Sequence, residues 1–241
     1  MQPERDHHEE PLLGGKVTVG LVRVGDTVRR PRLPSSAFVE QLLRALELAG
    51  FVAAPRHLGV DERGRDVLSY IPGEVEPEWR RFADEQVAAG ARLLRAFHDA
   101  TRGLTLAGGS EVVCHGDPGP HNSIFRGGLP VALIDFDLAA PGPALDDVAY
   151  SIWGWCVSSN EDRGTPADQA RQARLFADAY GLERPARAVD AILERQRWSA
   201  DWWRERPELE TDEAREEAVA WNLRERAYIE EHRALFLAAL A

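Results

Sequence analysis

A chain of 241 residues with 44% hydrophobic and 29% charged side chains is long enough for a sizeable core and has the balance of a globular protein. Its net charge of −11 lacks the basic footprint of a nucleic-acid binder, and no apolar run approaches the ~20 residues of a membrane span. The opening MQPERDHHEE is too polar for a signal peptide, and two cysteines, Cys114 and Cys156, make no disulfide framework, so the expectation is a cytoplasmic protein engaging neither nucleic acid nor membrane.

Residues 1–10 carry no periodic pattern and are expected to be disordered. Pro11 to Pro31 read as strands, LLGG, VTVGLVRV and TVRRP, with Gly25-Asp26 as a hairpin signal. Ser35 and Ser36 offer a helix N-cap. Phe38, Val39, Leu42, Leu43, Leu46 and Ala49 then recur at helical spacing until Gly50 stops the helix. HLGVDERGRDVLSYI reads as a second hairpin turning at Arg63-Gly64, and Pro72-Gly73 marks a hinge. Residues 11–73 are thus expected to form a small lobe, and residues 74–241 a larger one. In the latter, Pro77–Thr101 reads as helical, with Trp79, Phe82, Leu93, Leu94 and Phe97 as core contacts. Gly103–Gly109 reads as a loop, and Val112-Val113 and VALIDF as short strands. Helices are expected over Asp146–Val157, Ala167–Tyr180, Pro185–Glu205 and Glu213–Leu240. No repeat or low-complexity tract interrupts the pattern.

The chemistry concentrates between Cys114 and Ala149. His115-Gly116-Asp117 stands five residues before Asn122, and Asp135 follows thirteen residues later at the end of an apolar run. Phosphoryl transfer needs one carboxylate to orient a hydroxyl and take its proton. It also needs hard oxygen ligands that hold Mg²⁺ against nucleotide phosphates. Asp117 fits the first role, Asn122 and Asp135 the second. Cys114 reads as a small buried strand residue rather than a reactive thiol. A metal hydrolase built on His115 and Asp117 lacks further His ligands at workable spacing.

HGDPGPHN, then ALIDFD, then PGPALDDVA resembles the aminoglycoside phosphotransferase and choline kinase superfamily. Its pattern is H-G-D-x-x-x-x-N, I-D-[FW] and G-x-x-x-x-D-[LV]-A. LLGG, SYIPGE and ARLLRAFHDAT extend the resemblance over roughly residues 12–150. The resemblance implies an α+β, bilobal, protein-kinase-like fold: a small antiparallel sheet plus one helix in the N-lobe and a mainly helical C-lobe. It also implies ATP or GTP as co-substrate, Mg²⁺, and a small-molecule acceptor. His115 then supports the loop, Asp147 anchors its backbone, His98 is a packed structural residue, and Asp146 is free to face substrate. Asp137, two residues past Asp135, would share its face as a supporting group or further metal contact.

In the small lobe, strand alternation puts Val28 and Arg30 on one face. Arg30 takes the position where the family usually has Lys, and Glu40 on the following helix is its natural partner. Arg grips phosphate bidentately but does not replace a point-charge ammonium. Gly14 and Gly15 offer a short phosphate-covering turn with Lys16, the one lysine of the chain, at its edge; the spacing is not that of a Walker A motif. Ser69, Tyr70 and Ile71 are expected to form the hinge whose backbone reads the nucleotide base. Most tryptophans should be core, with Trp153 a candidate for lining the acceptor pocket.

Residues 101–241 carry 15 basic and 24 acidic side chains. That balance either draws a cationic acceptor such as an aminoglycoside or serves solubility alone. The missing third-strand lysine, the short glycine turn and the trimmed C-lobe keep one alternative open, a nucleotide-binding pseudokinase acting as a regulatory module. The oligomeric state is not legible.

Overall fold

In the computed structural model, the structure describes residues 8–12, 20–76, 80–206 and 210–241. Gly14, Gly15, Lys16 and Trp79 lie outside the described residues. Short strands Glu10–Pro11 (β1), Val22–Val24 (β2), Thr27–Arg30 (β3), His57–Val60 (β4) and Asp66–Ser69 (β5) form one antiparallel sheet in the order β1-β2-β3-β5-β4. β1 departs from the disorder expected over residues 1–10. Its neighbour Glu9 accepts hydrogen bonds from Arg63 at 3.0 Å and Arg65 at 2.8 Å, which dock this edge onto the β4–β5 turn.

Helix Ser36–Leu48 (α1) buries Val39, Leu42, Leu43 and Leu46 along one stripe, as the spacing requires. The capping expectation needs correction. Ser35 occupies the cap position without a capping bond. The Ser36 hydroxyl instead accepts from Leu33 N at 3.0 Å and donates to the Asp66 carboxylate at 2.6 Å. The helix start is therefore pinned to β5 by a buried side chain rather than by its own cap.

The chain leaves the small sheet at Gly73, where φ is +151° and a Cβ would lie 2.4 Å from Ile124 Cγ2 and 2.5 Å from the Phe125 carbonyl oxygen. Only glycine passes so close in that conformation. Glu74–Val75 (β6) then pairs with Ser123–Arg126 (β8), which pairs in turn with Leu129–Leu133 (β9). Val112–Cys114 (β7) pairs with Ala140–Gly142 (β10). Strands β6, β8 and β10 are absent from the sequence reading.

Helices Asp84–Thr101 (α2), Ala144–Cys156 (α3), Pro166–Tyr180 (α4) and Arg187–Arg204 (α5) pack with Asp212–Glu231 (α6) and Arg233–Leu240 (α7). Two boundaries differ from expectation. α2 starts at Asp84 rather than near Pro77; Ala83 is extended there, and its amide donates to the Gln86 side chain at 3.0 Å. The last expected helix is split at His232, which lets α7 bury Phe236 and Leu240. Phe82, Leu94, Phe97, Phe136, Ile152, Trp155 and Phe176 form the heart of a continuous core. Among the described residues no helix is long and apolar enough to cross a membrane. The architecture is α+β and two-lobed, a small antiparallel sheet with one helix against a mainly helical body.

Candidate active site

Two short ladders converge on the site. β7 ends at Cys114 and releases the loop His115–Gly119, which tightens into a 3₁₀ turn at Pro120–Asn122 before β8. β9 ends at Leu133, and the segment Ile134–Ala139 crosses beside that loop before β10. Ile134 stitches the two together. Its amide donates to the Asn122 carbonyl at 2.9 Å, and its carbonyl accepts from His115 Nε2 at 3.0 Å. Asp135, the next residue, is thereby delivered beside Asn122.

The loop's shape rests on one carboxylate. Asp147, in the first turn of α3, accepts from the amides of His115 at 2.6 Å and Gly116 at 2.9 Å and from His98 Nε2 at 3.0 Å. Because a carboxylate only accepts, His98 Nε2 carries a proton, and His98 Nδ1 lies 2.7 Å from the Tyr180 hydroxyl. Burial pushes the Tyr180 phenol up, so it remains a donor. Burial alone would raise the Asp147 carboxyl too. The donors from His98 and the loop outweigh it and hold the group below the usual carboxylate range. His115 follows the same logic. Nε2 donates to Ile134, Nδ1 accepts the Asp117 amide at 3.3 Å, and burial holds its pKa below that of a free imidazole. Gly116 has φ +86°, and a Cβ there would sit 2.3 Å from the Leu138 carbonyl oxygen.

Asp117 sits half-buried at the head of this frame. Asn122 Nδ2 donates to the Asp117 carboxylate at 2.9 Å and to the Asp117 backbone carbonyl at 3.0 Å, while His121 Nε2 lies 3.2 Å from the other carboxylate oxygen. Enclosure would raise its pKa, but the hydrogen bonds and charge of His121 and the Tyr150 hydroxyl prevail and keep the carboxyl low. The group is therefore an ionised, oriented acceptor at neutral pH.

Asp135 is different. It holds φ +63°, the left-handed region, and is the one non-glycine residue that does so among those described; such a conformation costs about 1–3 kcal/mol and persists where the surroundings impose it. Its carboxyl opens to the cleft yet is pushed up to about 6 by enclosure and by the charge of Asp137, against the pull of Arg30. Crowded negative charge of this kind suits a hard cation. Asn122 commits its amide nitrogen to Asp117, so its Oδ1 remains available among the described residues. Asn122 and Asp135 supply an oxygen-only pair. Among the described residues no three His, Cys, Asp or Glu side chains cluster to hold a metal.

The expected residues fall into three groups. Asp117, Asn122, Asp135, His115 and Asp147 are brought together as described, and Asp146 lies exposed beside them on α3. Arg30 faces the same cleft from β3, but its partner is Asp137 and not Glu40. Glu40 pairs with Arg44 at 2.8 Å, one helical turn on, and approaches His57 at 3.9 Å. The correction has a simple cause. Asp137 reaches the buried guanidinium from the opposite lobe, whereas Glu40 has a nearer cation on its own helix. The amides of Ser69 and Tyr70 donate to the Arg56 and Asp26 carbonyls, both at 2.9 Å. Of the hinge trio only Ile71 keeps an uncommitted amide among the described residues. Trp153 does not line a pocket. It is buried, stacks on Trp221 at 5.0 Å and donates to Glu225 at 3.2 Å. Cys114 is a buried strand residue whose thiol is pushed up by burial and nearby carboxylates.

His121 and Tyr150 escaped the sequence reading. His121 stands four residues after Asp117 inside the motif itself, a spacing that places it against the carboxylate in a tight turn. Tyr150, one turn beyond Asp147 on α3, carried no comparable signal.

A model of the phosphotransferase enzyme family matches residues 41–189. The trifolitoxin immunity protein of Rhizobium leguminosarum bv. trifolii is 35% identical over 257 residues, covering 95% of this chain and 97% of that protein. Among solved structures, a choline/ethanolamine kinase family protein from Mesorhizobium loti superposes with a TM-score of 0.68 at 17% identity, over 99% of this chain and 94% of that one. A microcompartment-associated aminopropanol kinase gives 0.65 at 14%, over 98% and 95%. The GDP complex of aminoglycoside 2'-phosphotransferase-IIIa also gives 0.65, at 15%, over 94% and 95%. At such identities these structures establish a common fold.

Proposed function

Since this chain belongs to the phosphotransferase enzyme family, we propose that it transfers the γ-phosphoryl group of ATP or GTP to a hydroxyl of a small molecule. Residues 11–73 form the nucleotide-facing lobe in this reading, and residues 74–241 carry the catalytic loop and the acceptor pocket. One observation carries it: Asp117 is held ionised and aimed by Asn122, His121 and Tyr150, beside the oxygen pair Asn122 and Asp135. Asn122 and Asp135 would hold Mg²⁺, which would supply charge neutralisation for the nucleotide phosphates. Asp117 orients the acceptor hydroxyl and receives its proton. The acceptor oxygen bonds to the γ-phosphorus as the bond to the β–γ bridging oxygen breaks, and the electron pair leaves on the nucleoside diphosphate. Arg30 exchanges Asp137 for nucleotide phosphate. Ile71, with its free amide, is the hinge contact for the base. The relative named for immunity to trifolitoxin favours a toxic compound as the physiological acceptor, inactivated by phosphorylation.

The pseudokinase reading draws on one observation, the engagement of Arg30 with Asp137 in place of a helix glutamate. Consumption of ATP and GTP with Mg²⁺ across aminoglycosides, amino alcohols, sugars, hydroxy acids and macrolides separates the two. Transfer is expected with at least one class, lost by roughly 10²–10⁴-fold in Asp117→Asn while nucleotide affinity is retained. Nucleotide binding without turnover on any acceptor would instead support the pseudokinase.

A further inference from the structure

Arg195, in the middle of α5, is fixed against the catalytic loop by three contacts. Its Nη2 donates to the carbonyl of Gly116, the residue before the proposed base. Its guanidinium lies 4.8 Å from the centre of the Tyr150 ring and 4.1 Å from that of Trp198. Tyr150 in turn hydrogen-bonds the Asp117 carboxylate. A single aromatic ring therefore separates this cation from the group that takes the acceptor's proton.

The guanidinium has no counter-ion among the described residues. Its Nε is buried without a hydrogen-bond partner, and Nη1 makes no hydrogen bond to any described residue. Asp146 on α3 feels this charge, which pulls its carboxyl down against burial, but the two form no ion pair. Nη2 is spent on the Gly116 carbonyl and Nε is buried, so the Nη1 end of the guanidinium is the part left to bind. Its N–H groups can donate to a carboxylate or phosphate oxygen. The same helix face continues outward. Trp198 is 44% exposed, Trp202 lies 6.5 Å from it, and the Arg206 guanidinium lies 4.6 Å from the Trp202 ring. An Arg-Trp-Trp-Arg stripe thus leads away from Asp117.

We infer that the acceptor is anionic: a hydroxyl compound whose carboxylate or phosphate group is seated on Arg195 and whose flat portion lies on Trp198. The inference rests on the phosphotransferase reading and sharpens it. It also replaces the cationic acceptor suggested by the acidic balance of residues 101–241. Net charge spread over a lobe is screened within a Debye length of roughly 8 Å at physiological salt. A guanidinium without an ion pair among the described residues, one ring from Asp117, acts at closer range than that.

The test uses matched acceptors that share a scaffold and differ in charge: glucose, glucosamine and glucuronate; glycerol and glycerate; with kanamycin as the polycation. Each is measured with Mg²⁺-ATP for turnover, and with Mg²⁺-ADP for thermal stabilisation of the protein. Wild type, Arg195→Gln and Arg195→Lys are compared. The acidic member of each set is expected to bind best. Arg195→Gln should weaken the acidic members by at least tenfold, raising KM more than it lowers kcat, with Arg195→Lys recovering part of the loss. Stabilisation by the acids, lost in Arg195→Gln but without turnover, would uphold the anion seat and count against the phosphotransferase reading. Preference for kanamycin or the neutral sugars, binding of none of the acids, or equal weakening of every member by Arg195→Gln would overturn the inference. The last result would reduce Arg195 to a clamp on the loop.

Discussion

The catalytic loop and the cleft-facing strand β3 sit across one cleft and are held in opposite ways. The loop is braced from within the protein: Asp147 takes three donors, His115 uses both ring nitrogens, and the Asn122 amide nitrogen bonds Asp117 twice. Among the described residues the cation of β3 has a single partner, Asp137, across the cleft, and its Nε is buried without one. The first arrangement is complete before substrate arrives. The second is half-made, and a nucleotide phosphate is the natural group to finish it. A phosphotransferase benefits from both, since the base must be preorganised whereas the phosphate grip must open and close.

If the loop is as fully braced as this implies, removing its central carboxylate should have the largest effect on stability of any change in the site. Asp147→Ala strands two loop amides and the proton of His98 in a buried setting. It is expected to cost about 3–5 kcal/mol, read as a shift in the denaturant midpoint. A change below about 1 kcal/mol would mean the loop is held elsewhere. Gly116→Ala comes next. The left-handed backbone and the encounter with the Leu138 carbonyl together should cost about 2–4 kcal/mol. Activity should fall with it, because the amide bound to Asp147 would have to move.

Protonation gives a milder test of the same bracing. His115 is held neutral by burial, its pKa lowered from an unfolded value of 6.5. Between that value and the lower folded one, the unfolded chain binds a proton that the folded chain refuses. Stability is therefore full above about pH 6.5 and declines as pH falls through the window beneath it. Asp147, also lowered, adds a further loss only below its unfolded value of 3.8. Denaturant midpoints measured from pH 7.5 to 5 should fall in the wild type and fall less steeply in His115→Gln. Parallel slopes would remove His115 as the cause.

The contrast between the two regions also explains what the sequence could convey. The convergence of Asp117, Asn122 and Asp135 was legible because it depends on spacing within about twenty residues, which the local turns translate directly into geometry. The helices were legible for the same reason, through 3.6-residue periodicity. The cation partner of β3 was not. Arg30 and Asp137 are 107 positions apart, and nothing in either segment tells that Arg44 will take Glu40. Trp153 illustrates the converse: an aromatic on the helix carrying Asp147 reads equally as pocket or core, and only the packing of Trp221 and Glu225 against it decides. Arg195 and Tyr150 lie on separate helices, and their meeting at the loop is a product of how α3 and α5 pack.

The smallest effect is the one that separates the two ways of holding charge. If β3 is a half-made grip, Asp137 competes with nucleotide for Arg30, and Glu40 is a bystander. Asp137→Asn should then release the guanidinium and tighten nucleotide binding in the absence of added metal by roughly fivefold, about 1 kcal/mol. Glu40→Gln should leave affinity within about twofold, because its charge is already shared with Arg44 and His57. Titration by calorimetry in the presence of chelator isolates this term, since any Mg²⁺ bound near Asp135 would respond to Asp137 on its own account. Weaker binding in Asp137→Asn under those conditions would mean that the pair orients Arg30 toward the phosphates. In that event β3 is as fully braced as the catalytic loop, and the two sides of the cleft follow one design.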